Sequence, residues 1–136
     1  MAFDYDSTEP LDSRIIYHFI PKHRGLMKDA SQWIIGYKEE YDLAEEIYAQ
    51  IYKCKRKRYY WNVKRTSSGL EKLGKQDSEY EYIGRFDLNS NTMHGYPIDH
   101  RIDPRQKPDN TALKILKDNN KITKPEMMKI SRGKAL

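Results

Sequence analysis

The sequence predicts an α+β fold, with a small antiparallel sheet of about three or four strands, one long helix and two short C-terminal helices. Three observations predict it. Side chains follow a two-residue period over 58–65, 79–88 and 96–102, the period of a half-buried strand. Leu43, Ile47 and Ile51 recur every four residues, with Ala44, Tyr48 and Tyr52 beside them, which makes one wide apolar helical stripe. Near the C-terminus, Leu113 and Leu116 and then Thr123-Lys-Pro-Glu126 mark two short helices. With 136 residues the chain is one ordinary domain. Its organisation reads as an acidic arm over 1–13, an α+β core over 14–103 and a basic helical extension over 104–136.

Element by element, Arg14 to Ile20 reads RIIYHFI, a strand closed by Pro21. Residues 26–37 hold Trp33, Ile34, Ile35 and Tyr37 and fit either a helix or a short strand. The long helix is expected over Tyr41–Cys54, with Asp42 and Glu45 at capping-box spacing. Arg58 to Arg65 follows as a strand. There Tyr59, Trp61 and Val63 share one face, and Arg58, Tyr60, Asn62 and Lys64 the other. A second strand is expected over Glu79–Leu88, with Tyr80, Tyr82, Phe86 and Leu88 on one face and Glu79, Glu81, Arg85 and Asp87 on the other. Pairing of Arg58 or Lys64 with Glu79 or Glu81 would make these two strands neighbours, joined by a loop over 66–78. Tyr96, Ile98, His100 and Ile102 form a third candidate strand. Pro104 and Pro108 make a linker before the helices at Thr111–Asp118 and from Thr123 to Ile130.

Composition narrows the function. The chain is 38% hydrophobic, eleven of its sixteen aromatics are Tyr, and its mean hydropathy is −0.96. A membrane protein, a disulfide scaffold and a collagen-like chain are thereby excluded. The lone Cys54 allows no internal disulfide, and the acidic start resembles neither a secretory nor a mitochondrial leader. A cytoplasmic location is expected, with no membrane partner. Net charge is +5, unevenly spread. Residues 100–136 hold ten Lys/Arg and four Asp/Glu, whereas 1–99 hold fifteen and sixteen. A second basic cluster, Lys53 to Arg65, contains no acid.

Basic side chains beside aromatics suit a nucleic acid, because cations neutralise phosphates and rings stack on bases. Arg58, Tyr60, Lys64 and Arg65 are the candidates on the strand, and Lys114 and Lys117 on the basic extension. The same residues would also serve as a solvated sheet edge. A second constellation is His94-Gly-Tyr-Pro-Ile-Asp-His-Arg101. His94, Asp99, His100 and Arg101, with Arg85, could supply the base, acid and cation of a metal-free ribonuclease. They could equally be a strand start with a surface Asp–Arg pair. Cys54 sits among lysines with no His near it in sequence, so it reads as an incidental thiol. There is no Walker A, no G-x-G-x-x-G, no zinc-type spacing and no G-x-S-x-G. No cofactor or metal is expected.

Two partial resemblances bear on this. Asp99-His100, Asn110 and Asn119 resemble the core of HNH nucleases over about twenty residues. That resemblance implies a His base and a divalent metal held by the Asp and the final residue. The family's glycine-rich loop and flanking cysteine pairs are absent, and the His-to-Asn spacing is short. Tyr60-Trp61-Asn62 onward to Arg101 is distantly similar to the ribonuclease domain of ribosome-cleaving colicins. There Asn62 stands where an Asp is expected, and no His lies between Trp61 and Gly74. The expected function is a nucleic-acid-directed small basic protein, a ribonuclease or toxin-like nuclease domain, acting on RNA rather than DNA. The alternative is a non-enzymatic assembly subunit or inhibitor that binds an acidic protein surface through its tyrosines.

Overall fold

The computed structural model describes residues 8–25, 30–51, 58–102 and 104–136. Along the chain lie β1 (Thr8–Pro10), β2 (Ile16–His18), a 3-10 turn (Pro21–His23), β3 (Gln32–Trp33) and α1 (Tyr37–Glu45). The helix α1 runs on as a π turn over Glu46–Ile51. Then come β4 (Tyr59–Asn62), β5 (Arg65–Thr66), β6 (Gly69–Leu70), β7 (Gly74–Gln76), β8 (Glu79–Glu81), β9 (Ile83–Asn89) and β10 (Thr92–Ile98). Two helices close the chain, α2 (Asn110–Asp118) and α3 (Lys124–Ser131). The main sheet has the order β1-β2-β10-β9-β4, a second is β3-β7-β8, and β5 pairs with β6.

This corrects the expected fold. Ten strands in three sheets, counted among the described residues, replace a single sheet of three or four. The main sheet is mixed, because β2 runs parallel to β10 while its other pairs are antiparallel. The long helix starts earlier than expected, and among the described residues it spans 37–51. It begins after Gly36, where Glu39 Oε1 accepts the Gly36 N–H at 3.3 Å. Asp42 therefore lies inside it, bonded to Lys38 at 2.9 Å. The π segment has a visible cause. The Asn62 side-chain amide donates to the Leu43 carbonyl at 3.0 Å and to Glu46 at 2.9 Å, at the point where the ladder widens.

The expected second strand breaks in two at Tyr82. Before it, β8 pairs with β7 in the small sheet; after it, β9 pairs with β4 and β10 in the main one. The faces reverse at the break, so Glu81 is buried and Tyr80 exposed. The stretch 66–78 is no loop, since β6 and β7 lie within it. Strand β4 does neighbour β9, but in the register Tyr59↔Asp87 and Trp61↔Arg85. Lys64 pairs instead with Glu39 at 3.0 Å and Glu71 at 3.5 Å.

One hydrophobic core runs through the chain, from Leu11 to Ile130. Tyr17, Tyr60, Phe86 and Met93 project from the inner face of the main sheet and are fully buried. Leu43, Ala44 and Ile47 of the 37–51 helix join that core, and Tyr48 meets Tyr60 edge-on at 5.9 Å. Glu40 is buried as well. It accepts from the Tyr17 hydroxyl and, at 2.6 Å, from Arg24. Burial raises its pKa to about 7, against the pull of Arg24. From the C-terminal helices, Ala112, Leu113, Leu116 and Ile130 enter the same core. Asp109 caps α2 by accepting from Ala112 N at 2.8 Å, and Thr123 with Glu126 forms the capping box of α3.

Candidate functional site

The outer face of the main sheet carries the polar chemistry. Alternation puts Tyr59 and Trp61 of β4, Arg85 and Asp87 of β9, and His94 and Tyr96 of β10 on that side. Asp87 organises the middle: Arg85 Nε donates to Oδ1 at 2.9 Å and the Tyr96 hydroxyl to Oδ2 at 3.1 Å. The Arg85 guanidinium lies 4.3 Å from the Tyr59 ring centroid and also donates to the Arg105 carbonyl. Trp61 Nε1 donates to the Gln106 carbonyl at 2.8 Å, so this end of the face is covered.

Between the 3-10 turn, Ser31, the outer edge of β10 and Gln106 lies a cleft of about 700 Å³. His23, His94 and Tyr96 line it in a stack. The His23 ring is 5.2 Å from Tyr96 and nearly parallel, and His94 is 6.4 Å from Tyr96. His23 Nδ1 donates to the Ser31 carbonyl at 2.8 Å, which leaves Nε2 as the basic nitrogen. Burial lowers the pKa of both imidazoles, while Asp87 pulls His94 back toward its charged form. Two buried polar atoms on the lining, His94 Nδ1 and Gln106 Oε1, have no hydrogen-bond partner among the described residues. Buried polar atoms are ordinarily paired, so both are open to a hydrogen bond from a water or a ligand in the cleft.

The residues predicted from sequence divide among several places. His94 and Asp99 line this cleft. His100 and Arg101 do not: they line a separate hollow of about 150 Å³ with Tyr80, Tyr82 and Leu136. His100 is 4% exposed and its Nε2 bonds the Lys134 carbonyl at 2.6 Å. Both Asp99 oxygens are taken by Arg101, at 2.9 and 2.7 Å. Arg101 reaches Glu79 at 3.1 Å as well. The HNH-like set therefore does not converge. Its Asp and His are bonded to different partners, and Asn110 and Asn119 stand at opposite ends of α2. Among the described residues no group of His, Cys, Asp and Glu could hold a metal ion. The colicin-like stretch folds into β4, β9 and β10 with β5–β8 between them, and its Asn62 is buried against the 37–51 helix.

The basic strand face is also reassigned. Tyr60 is fully buried and cannot stack on a base; Tyr59, 47% exposed, occupies the open face instead. Lys64 is engaged by Glu39 and Glu71, and Arg65 by Glu126 and the Lys121 carbonyl. Arg58 is exposed at the head of β4. Lys114 and Lys117 belong to a groove between α2 and α3. Cys54 and the cluster Lys53 to Lys57 lie outside the described residues. Sequence reasoning passed over His23, Tyr59 and Tyr96 as site residues. Alternation puts Arg85 and Asp87 on one face, but the third candidate strand starts at Tyr96, so His94 joins Tyr96 only because β10 begins at Thr92; no local signal brings His23 to them.

The chain matches no protein-family model, no curated protein and no solved structure. Its class is therefore defined by fold and site alone: an α+β protein with a five-stranded mixed sheet and an imidazole-lined cleft on the sheet's open face. Among the described residues no helix is long and apolar enough to cross a membrane.

Proposed function

We propose that the protein is a metal-independent ribonuclease whose cleft holds the scissile phosphodiester, acting on single-stranded RNA in the cytoplasm. The observation that carries this reading is the pair of imidazoles, His23 buried and His94 partly buried, stacked on Tyr96 in one cleft. RNA cleavage needs one base and one acid, and no metal, because the 2′-hydroxyl is the nucleophile. His23 Nε2 takes the 2′-hydroxyl proton, and the 2′-oxygen attacks phosphorus. Protonated His94, favoured by Asp87, gives its proton to the departing 5′-oxygen. The products are a 2′,3′-cyclic phosphate and a 5′-hydroxyl end. Lys22, also on the lining, is the cation nearest to hand for the phosphorane. Exposed Tyr59 offers a stacking surface for a neighbouring base, with Arg85 behind it.

The test is cleavage of a fluorescent single-stranded RNA with EDTA present. His94→Ala and His23→Ala should each lower kcat/KM by about 10²–10⁴-fold, and His100→Ala should leave it unchanged. Both imidazole pKa values are lowered, so the bell-shaped rate profile should centre below the ordinary value of about 6.5. Cleavage that requires magnesium, or that survives loss of both histidines, would sink the reading. The second reading is a protein-binding inhibitor or assembly subunit. It is favoured by Tyr59 and Ile16, 47% and 38% exposed on the same open face. An inert protein that neither cleaves nor binds RNA would move the assignment there.

A further inference from the structure

A second concavity stands apart from the cleft. Helices α2 and α3 flank a groove of about 490 Å³. On α2 the lining residues include Leu113, Lys114 and Lys117, and on α3 Lys124, Met127 and Met128, at the three- and four-residue spacing of single helix faces. The floor is apolar. Leu113 is part of the core, Met127 packs on it, and Met128 is 37% exposed although its side chain is hydrophobic. The rim carries Lys114, Lys117 and Lys124 against one acid, Asp118, and its net positive charge is gathered at one end. Lys117 lies in the last turn of α2 and Lys124 is the first residue of α3, so the turn between the helices brings them to the same end. Lys114 is paired with Asp118 at 2.9 Å. Lys117 and Lys124 make no ion pair among the described residues.

We propose that this groove docks an acidic amphipathic segment of a partner protein. Apolar side chains of the segment lie over Leu113, Met127 and Met128, and its carboxylates meet Lys117 and Lys124. Charge complementarity argues for this occupant, since residues 100–136 carry ten Lys/Arg against four Asp/Glu. Methionine side chains suit a helix-in-groove contact because they are unbranched and repack easily. A nucleic acid fits less well. The lining includes no aromatic ring for a base, and its floor is apolar where phosphates need cations.

A phage-displayed library of random 16-residue peptides, panned on the full chain, tests this. Enriched peptides should be net acidic, with apolar residues spaced three or four apart. Their affinity should fall at least tenfold for Lys117→Glu, for Lys124→Glu and for Met128→Glu, while His94→Ala leaves it unchanged. Lys124 and Met128 are exposed, so these two variants fold even if Lys117→Glu does not. Enrichment of neutral or basic peptides, or binding indifferent to these substitutions, would overturn the proposal. So would failure to enrich any peptide over the Lys124→Glu/Met128→Glu chain. Displacement of the peptides by a twelve-nucleotide single-stranded RNA that itself loses affinity with Lys124→Glu would assign the groove to nucleic acid instead.

Discussion

Gly95 lies on the inner face of β10, directly beneath two rings. A Cβ at that position would stand 2.5 Å from Phe86 Cδ1 and 2.7 Å from the Tyr17 hydroxyl. Its carbonyl also accepts from Trp33 Nε1 at 3.3 Å. The requirement is for space, because the glycine does not adopt a positive φ. Overpacking of this kind costs about 1–3 kcal/mol. Gly95→Ala should therefore lower the urea midpoint by a corresponding amount with an unchanged m-value, and an unchanged midpoint would contradict the packing described. The two tyrosines that open β4 make a related point. Alternation in the sequence separates Tyr59 from Tyr60 but does not say which face meets the helix. The register does: Tyr60 lies opposite Phe86 and is buried, and Tyr59 lies opposite Asp87 and is open. Of the two, only Tyr59 offers a ring to solvent, whereas Tyr60, the one the sequence singles out for stacking, is enclosed.

At the scale of elements, local signals were legible and tertiary ones were not. The capping box at Thr123 is written in four consecutive residues, and the structure has it there. Thr123 accepts from Glu126 N at 3.3 Å while Glu126 Oε1 accepts from Thr123 N at 2.8 Å. Thr123→Ala removes half of this exchange and should cost about 1 kcal/mol in equilibrium unfolding. A loss below about 0.3 kcal/mol would show that the bond from Glu126 and its ion pair with Arg65 hold the turn without the hydroxyl. The change of sheet at Tyr82 has no such local mark. The alternation of Glu79 to Leu88 reads as one strand, and only the competition between β7 and β4 for pairing divides it. The parallel pairing of β2 with β10 joins residues more than seventy apart, beyond the reach of any local pattern. The same limit applied to the candidate site. Arg85 and Asp87 share a face by the alternation visible in the sequence, but His94 joins Tyr96 only because β10 begins earlier than expected, at Thr92, and His23 reaches them through the fold around Ser31.

Across the whole molecule, buried ionisable groups pull stability in opposite directions with pH. Glu81 is 1% exposed. It accepts from Ser31 Oγ at 2.7 Å, and its other oxygen has no partner among the described residues. Burial, reinforced by nearby Asp99, raises its pKa from 4.5 to about 7. Glu40 is raised in the same way. A carboxyl with a raised folded pKa holds its proton in the fold while the unfolded chain has lost it. Its contribution is full below about pH 4.5 and declines as pH rises toward 7. His23, His94 and His100 act oppositely. Burial lowers each pKa, so their contribution is full above about 6.5 and declines as pH falls. The two sets offset one another between pH 4.5 and 7, which makes the wild-type profile a poor probe of either. A difference between proteins isolates one group. Glu81→Gln cannot ionise, whereas the histidines and Glu40 are common to both chains and cancel. The variant's stability minus that of the wild type should therefore rise from pH 4.5 to 7 by about 1–3 kcal/mol, then level off. Urea unfolding of both proteins at four pH values measures it. A difference that is flat or falls with pH would mean that Glu81 is ionised throughout this range and finds its compensation elsewhere in the fold.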